Sequence, residues 1–136
     1  MFEVFDHTAD LGLRVQAASL SELFSEAARG LFAQLVLNPE EVQPLCKRDF
    51  SLEATNRQDL LVDWLSDLLY AFETDRILFI KFDVRVSATH LQGSAWGEPA
   101  DEDRHQLASE VKAVTYHGLT VEPYSQGWRA ELILDV

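Results

Sequence analysis

The chain has 136 residues, 47% hydrophobic and 25% charged, which is the balance of a folded globule and fits a single domain, 1–136. Its formal net charge of −12 opposes the binding of phosphates, so we expect neither direct nucleic acid binding nor attachment to an anionic membrane. The apolar runs are shorter than the roughly 20 residues that span a bilayer, and the acidic stretch 1–10 lacks a signal-peptide pattern. The single cysteine, Cys46, excludes an intrachain disulfide. We therefore expect a cytoplasmic protein.

The N-terminal region is predicted to form two strands joined by a polar turn. Residues 2–5 are mostly apolar and predict a short strand. Leu11, Leu13 and Val15 then alternate with small or polar residues, which indicates a strand with one buried face. The link between the strands, Asp6-His7-Thr8-Ala9-Asp10, has the composition of a compact turn.

Two amphipathic helices follow. Ser19 and Glu22 form a capping-box pattern ahead of apolar pairs repeated every four residues, and Asn38-Pro39 is expected to end this helix. An edge strand is predicted over 48–53. Asn56 is a suitable N-cap for the second helix, which carries a buried stripe: Leu60, Leu61, Trp64, Leu65, Leu68, Leu69 and Phe72.

The C-terminal half returns to strand patterns. Over 77–90 the residues that share one face are Ile80, Phe82, Val84, Val86 and Ala88. We expect a hairpin partner over 91–96, a polar loop over 97–109, short strands over 111–116 and 119–122, and a final strand over 128–135. Together these elements predict an α+β fold, with two helices packed on a largely antiparallel or mixed sheet of about six to eight strands.

The polar turn between the first strands is a candidate metal-binding segment. Hard cations prefer carboxylate and carbonyl oxygens gathered by a turn, and Asp6 and Asp10 supply two carboxylates there. The alternative is that these residues only cap turns, with His7 as an ordinary polar residue.

The C-terminal residues are a second candidate. Asp135 and Val136 follow directly on an apolar strand. If the last strand lies beside the first ones, Asp10, Asp135 and the Val136 carboxylate converge, and such a group needs a cation, lysine or arginine to neutralise it. A solvated chain end is the simpler alternative.

The region 97–117 gathers polar side chains of several kinds. Glu98 and His105 lie in the predicted loop; Lys112 and Tyr116 share a predicted strand face, while His117 lies on the other. Such a group suits an acid–base site. It suits equally well a hydrogen-bonded surface that docks a partner, or a purely structural role.

Together these motifs resemble the archease family. The resemblance runs in register over nearly the whole chain, and six stretches carry it: 6–12; 22–24 with 27–28; 60–70 with 72–74; Gly97-Glu98 with Asp101 and His105; 110–118; and Asp135-Val136. Each stretch alone is a weak signal, whereas six in the same order are specific.

The resemblance implies an archease-like α+β fold and a non-catalytic partner of the GTP-dependent RNA ligase. That ligase joins 3′-phosphate or 2′,3′-cyclic phosphate ends to 5′-hydroxyl ends in tRNA splicing and RNA repair. Archeases promote guanylylation of its histidine and multiple turnover. The resemblance also implies a divalent metal, calcium, with magnesium or manganese as alternatives, held by Asp10, Asp135 and Val136. Supporting roles are implied for Asp6, His7, Glu98, His105, Lys112, Tyr116 and His117.

Two other functions stay open. A stand-alone metal-dependent phosphoester hydrolase would use Asp10, Asp135 and His7, although no residue is assigned as its general base. A general chaperone or scaffold would use the acidic surface. Lys112 has two candidate roles: its ammonium group could neutralise the carboxylates, or it could reach a GTP phosphate inside the ligase.

Overall fold

The computed structural model describes residues 1–7, 10–108 and 110–136, with only the backbone described at His7. These residues form two α-helices and seven strands. In chain order they are β1 (Phe2–His7), β2 (Asp10–Ala17), α1 (Leu20–Leu35), β3 (Cys46–Glu53), α2 (Arg57–Asp75), β4 (Ile77–Val86), β5 (His90–Pro99), β6 (Ala113–Tyr124) and β7 (Gly127–Asp135). A short 3₁₀ turn, Pro39–Glu41, lies between α1 and β3.

The strands form two antiparallel sheets. The first has the order β1-β2-β7-β6 and the second the order β3-β5-β4. Helix α1 packs against β2 and β4, and α2 against β6 and the second sheet, so the helices join the two sheets. The α+β prediction with two helices on antiparallel strands is confirmed. The division into two sheets is a feature that strand patterns alone do not predict.

Both helices begin where local capping predicts. The Glu22 N–H donates to Ser19 Oγ at 3.1 Å, and the Asp59 N–H donates to Asn56 Oδ1 at 2.8 Å. These bonds satisfy N–H groups that have no partner inside the helix. Helix α1 ends at Leu35, ahead of the predicted Asn38-Pro39, because Val36 already has extended backbone angles.

The centre of the core is Trp64 of α2. Its side chain is fully buried, and its indole N–H donates to the Phe24 carbonyl oxygen of α1 at 3.1 Å. The Phe50 ring of β3 meets the indole edge-on, with 5.1 Å between ring centroids. One side chain therefore ties both helices to the second sheet.

Several strand boundaries differ from the sequence prediction. Ala88 is exposed in the turn after β4, so it does not share the apolar face of that strand. Strand β5 continues to Pro99 and takes Glu98 out of the predicted loop. One long strand, β6, replaces the two short ones, with an irregular register between Thr115 and Thr120. Strand β7 pairs with β6 on both sides of this irregularity and keeps it continuous.

Neither of the helices among the described residues is long and apolar enough to cross a membrane.

Candidate functional site

Strand β7 brings the residues near Asp135 beside the start of β2. It lies between β2 and β6, with Leu11 opposite Leu134 and Ala113 opposite Asp135. The β2–β7 pairing ends at Leu11 and Leu134, and the next residue on each strand is an aspartate, Asp10 on β2 and Asp135 on β7. Both aspartates are partly exposed, and together they are called the acidic pair.

This acidic pair lies on the outer face of the first sheet. Leu13 and its partner Leu132 are fully buried and face the helices. Because side chains alternate between faces along a strand, Asp10 and Asp135 belong to the opposite face. The carboxylates are therefore next to solvent, where a cation or a partner protein can reach them.

The backbone of Lys112 completes this end of the sheet. The Lys112 N–H donates to the Asp135 carbonyl oxygen at 2.7 Å. The Lys112 side chain is exposed and, within the described ranges, makes no ion pair with a carboxylate. Val136 is half-buried and its side chain packs against the core, so the last residue is anchored beside Asp135.

The predicted polar turn is largely strand. Asp6 pairs with Leu11 and His7 with Asp10, so these residues belong to the β1–β2 hairpin. Asp6 is exposed. Thr8 and Ala9 lie outside the described residues, as does the His7 side chain.

Glu98 and His105 form a buried polar network elsewhere in the fold. Glu98 is 5% and His105 2% exposed. The Glu98 carboxylate accepts the Gln43 N–H and an Arg104 guanidinium N–H, and His105 Nε2 lies 3.4 Å from its Oε2. The His105 Nδ1 accepts the Asp101 N–H at 2.9 Å.

These bonds fix the chemistry of the network. Because Nδ1 of His105 accepts a hydrogen bond, the proton of the neutral ring is on Nε2, which faces Glu98. Burial raises the pKa of Glu98, but the Gln43 N–H, the Arg104 guanidinium and His105 outweigh burial, so the pKa is lowered. The network binds the 100–108 loop to β5, and both Glu98 and His105 are buried, which favours a structural role.

Tyr116 and His117 lie in a third place. Tyr116 is 57% exposed and stands against the acidic face of α2. Partial burial, followed by the charges of Asp59 and Asp63, raises the pKa of its hydroxyl. His117 is exposed, and its N–H donates to Thr115 Oγ1 at 3.3 Å. The polar residues of 97–117 are thus divided among three locations and do not form one acid–base site.

The sequence analysis did not predict the partners of Glu98 in the buried network, nor the close packing next to the acidic pair. Arg104 and the backbone of Gln43 carry no local signal for contact with Glu98. Gly12 did carry a signal, since a glycine inside a strand often marks a close approach. The ring of Phe5 lies over Gly12 so closely that a Cβ at this glycine would overlap it.

The donor set around Asp10 and Asp135 consists of oxygens. Within residues 1–7, 10–108 and 110–136, no group of three or more His, Cys, Asp or Glu side chains is arranged to hold a metal ion. Two carboxylates provide at most four of the six to eight oxygens that calcium takes. A cation at this pair would need further oxygens from the main chain, water or a partner.

Comparisons with known proteins match nearly the whole chain. Residues 2–136 match the model of the Archease protein family. Protein archease of Methanopyrus kandleri is 37% identical over 99% of both chains, and that of Methanosarcina mazei is 34% identical over 99% of this chain and 95% of its own length.

Two solved structures share the fold. The solution structure of protein 1598 from Methanobacterium thermoautotrophicum has a TM-score of 0.83 and 35% identity, covering 99% of this chain and 98% of its own. A Thermotoga maritima crystal structure, described as an archease and possible chaperone, has a TM-score of 0.67 and 17% identity, covering 100% and 98%.

Proposed function

Because this chain belongs to the archease family, we propose that it is a non-catalytic accessory protein that activates a GTP-dependent RNA ligase in the cytoplasm. It would promote guanylylation of the ligase and its multiple turnover in tRNA splicing and RNA repair. The observation that carries the proposal is the β2–β7 pairing, which ends with Leu11 opposite Leu134 and is followed on the two strands by Asp10 and Asp135, with the Lys112 backbone bonded to Asp135.

The two aspartates suit a divalent metal chemically. Carboxylates are the oxygen ligands that calcium and magnesium prefer. Asp10 and Asp135 would hold the ion, with the Val136 terminus beside them. When bound, the ion supplies positive charge that can orient and neutralise phosphate oxygens.

An incomplete donor set fits a role in a complex. A site with two carboxylates on an open face leaves coordination positions free, which GTP phosphates or groups of the ligase can occupy. Lys112 extends its ammonium group into solvent at the same end of the sheet, within reach of an incoming phosphate. The chain's own residues would thus position GTP for attack by the ligase histidine without performing the chemistry.

The charge of the chain supports action on a protein rather than on RNA. A net charge of −12 attracts a basic partner and speeds its association, whereas it repels an RNA backbone. An enzyme that binds RNA carries a basic surface, to which this acidic protein is complementary.

The test is guanylylation of the cognate ligase with GTP labelled at the α-phosphate. We expect the wild-type protein to raise both the yield and the number of turnovers, and Asp10→Asn or Asp135→Asn to remove the stimulation. Asp83→Asn is the matched control, because Asp83 is an exposed strand aspartate of the other sheet. Equal ligase activity with and without the wild-type protein would refute the proposal.

A general chaperone is the second candidate. Leu37 and Leu45 are 66% and 70% exposed, and exposed apolar side chains are the groups through which a chaperone would contact unfolded clients. Suppression of aggregation of unrelated clients, without any effect on the ligase, would favour this function instead.

A further inference from the structure

Phe5 and Gly12 make an unusually close contact next to the acidic pair. Phe5 of β1 is directly opposite Gly12 of β2, and Gly12 is opposite Ile133 of β7. The three residues form one row across the outer face of the first sheet. This row adjoins the row that contains Asp10 and Asp135, two residues farther along each strand.

The Phe5 ring fills the space that the glycine leaves. A Cβ at Gly12 would overlap the ring carbons, so only glycine allows the ring to lie flat on the sheet. Ile133 is 4% exposed although it lies on the outer face. Ile133 is the β7 residue opposite Gly12, so the Phe5 ring lies in the row of a buried residue.

Arg14 holds the ring in place from the next row. Its guanidinium carbon lies 4.4 Å from the centroid of the Phe5 ring. The same guanidinium donates to Glu3 of β1 at 2.6 Å and to Glu131 of β7 at 3.1 Å. The first three strands of the sheet are therefore fastened together on their outer face, and the Phe5–Gly12 row lies between Arg14 and the acidic row.

We propose that Phe5 and Gly12 are positioning residues for the acidic pair. The ring packed on Gly12 fixes the end of the β1–β2 hairpin, and so it keeps Asp10, the first residue of β2, opposite Asp135. It also excludes water from one side of the pair, where a lower local dielectric strengthens the attraction for a cation. The cation-binding part of this inference rests on the proposed function.

The test measures calcium binding by titration calorimetry in two variants. Gly12→Ala displaces the ring, whereas Phe5→Leu removes the ring without adding a clash and keeps the row apolar. Groups that orient metal ligands typically change affinity by about 10–100-fold, and we expect a loss of about tenfold in either variant. Phe5→Leu decides the matter if Gly12→Ala does not fold.

Gly30→Ala is the matched control. A Cβ at Gly30 of α1 would lie 2.7 Å from Leu13 Cδ1, so this variant is also crowded, but on the helix side of the sheet. We expect Gly30→Ala to lower the melting temperature and to leave calcium affinity within about twofold, far less than the effect of groups that orient metal ligands, because the crowding falls on the helix side of the sheet. An equal loss of affinity in Gly30→Ala would show a general effect of destabilisation and would overturn the positioning role.

A second measurement on the metal-free protein separates this inference from the proposed function. Nuclear Overhauser contacts between β2 and β7 report whether Asp10 remains opposite Asp135. We expect them to weaken in Gly12→Ala and to persist in Gly30→Ala. If the wild-type protein binds no calcium, the metal part of the proposed function fails, and the contacts between β2 and β7 alone test the positioning role. Persistence of these contacts in both Gly12→Ala and Phe5→Leu refutes that role.

Discussion

His105 points Nε2 at the Glu98 carboxylate from 3.4 Å, and both side chains are almost completely buried. A buried carboxylate is stable only when its charge is compensated. Here an arginine, a backbone N–H and the histidine N–H share that task. The network holds β5, the 42–45 segment and the 100–108 loop together.

Glu98 should make the free energy of unfolding depend on pH. Its pKa is lowered in the folded state, so the folded form releases this proton more readily than the unfolded form. The stabilisation by the Glu98 carboxylate is therefore complete above the pKa of the unfolded state, about 4.3. It is lost as the pH falls through the lower pKa of the folded state. We expect urea unfolding to show this loss, and Glu98→Gln to remove it. If the free energy of unfolding of Glu98→Gln depended on pH as that of the wild-type protein does, the prediction would be contradicted. The control is Glu102→Gln, at an exposed glutamate, which should keep the wild-type pH dependence.

Calcium binding should require both aspartates. Asp10→Asn and Asp135→Asn each remove one of two adjacent carboxylates, so we expect each to lower calcium affinity by at least about tenfold in calorimetry. Both side chains are partly exposed, and the far-ultraviolet circular dichroism spectrum should therefore not change. Unchanged binding in both variants, judged against Asp83→Asn, would exclude the pair as the metal site.

The elements that sequence predicts best are those fixed by neighbouring residues. Ser19 and Asn56 cap their helices within three residues of themselves, and both predictions are confirmed. Strand β6 is different. Gly118, with φ of 64°, resembles a break between strands, but β7, which follows β6 after a two-residue turn, pairs with β6 on both sides of this glycine. Pairing with the hairpin partner therefore overrides the local turn signal.

Trp64 should be essential for stability. It is fully buried and bonded to the Phe24 carbonyl, and truncation of a buried aromatic side chain costs about 3–5 kcal/mol. We expect Trp64→Ala to lower the free energy of unfolding by that amount. Trp64→Phe keeps most of the packing and loses the hydrogen bond, so a smaller loss of about 1 kcal/mol is expected. Full stability of Trp64→Ala would contradict the central role of this side chain in the core.

Lys112 should affect guanylylation but not folding. Its side chain is exposed, and its bond to Asp135 uses the backbone N–H, which Lys112→Ala retains. We expect this variant to reduce ligase guanylylation while the melting temperature is unchanged. Lys112→Arg keeps the charge and changes its geometry, so partial recovery would indicate charge neutralisation. Full multiple-turnover activity of Lys112→Ala would remove the residue from the site.

Residues added after Val136 should reduce stimulation of the ligase. Val136 packs against the core beside Asp135, so an extension begins next to the acidic pair and crowds it. We expect a tag after Val136 to reduce ligase stimulation more than a tag before Met1. Equal stimulation by the two tagged forms would argue against a role of Val136 in the site.

The candidate site was only partly accessible to sequence reasoning. The sequence predicted that Asp10 and Asp135 converge if the last strand lies beside the first ones. Strand β7 does lie beside β2. Of the alternatives left open for 97–117, the structure favours a structural role for Glu98, because Glu98 is covered by Gln43 and Arg104, which are distant in sequence from each other. Burial that depends on such tertiary contacts leaves no periodic signal in the chain.

Strand β7 is the last strand along the sequence, yet it lies inside its sheet, between β2 and β6. During translation, β2 therefore emerges from the ribosome about 110 residues before the strand that covers its edge, a wait of roughly 5–20 s at ordinary elongation rates. A nascent chain released before Gly127 would keep an open, aggregation-prone edge and would also lack Asp135. We therefore expect products that end before Gly127 to be unstable, so that cellular quality control can remove them.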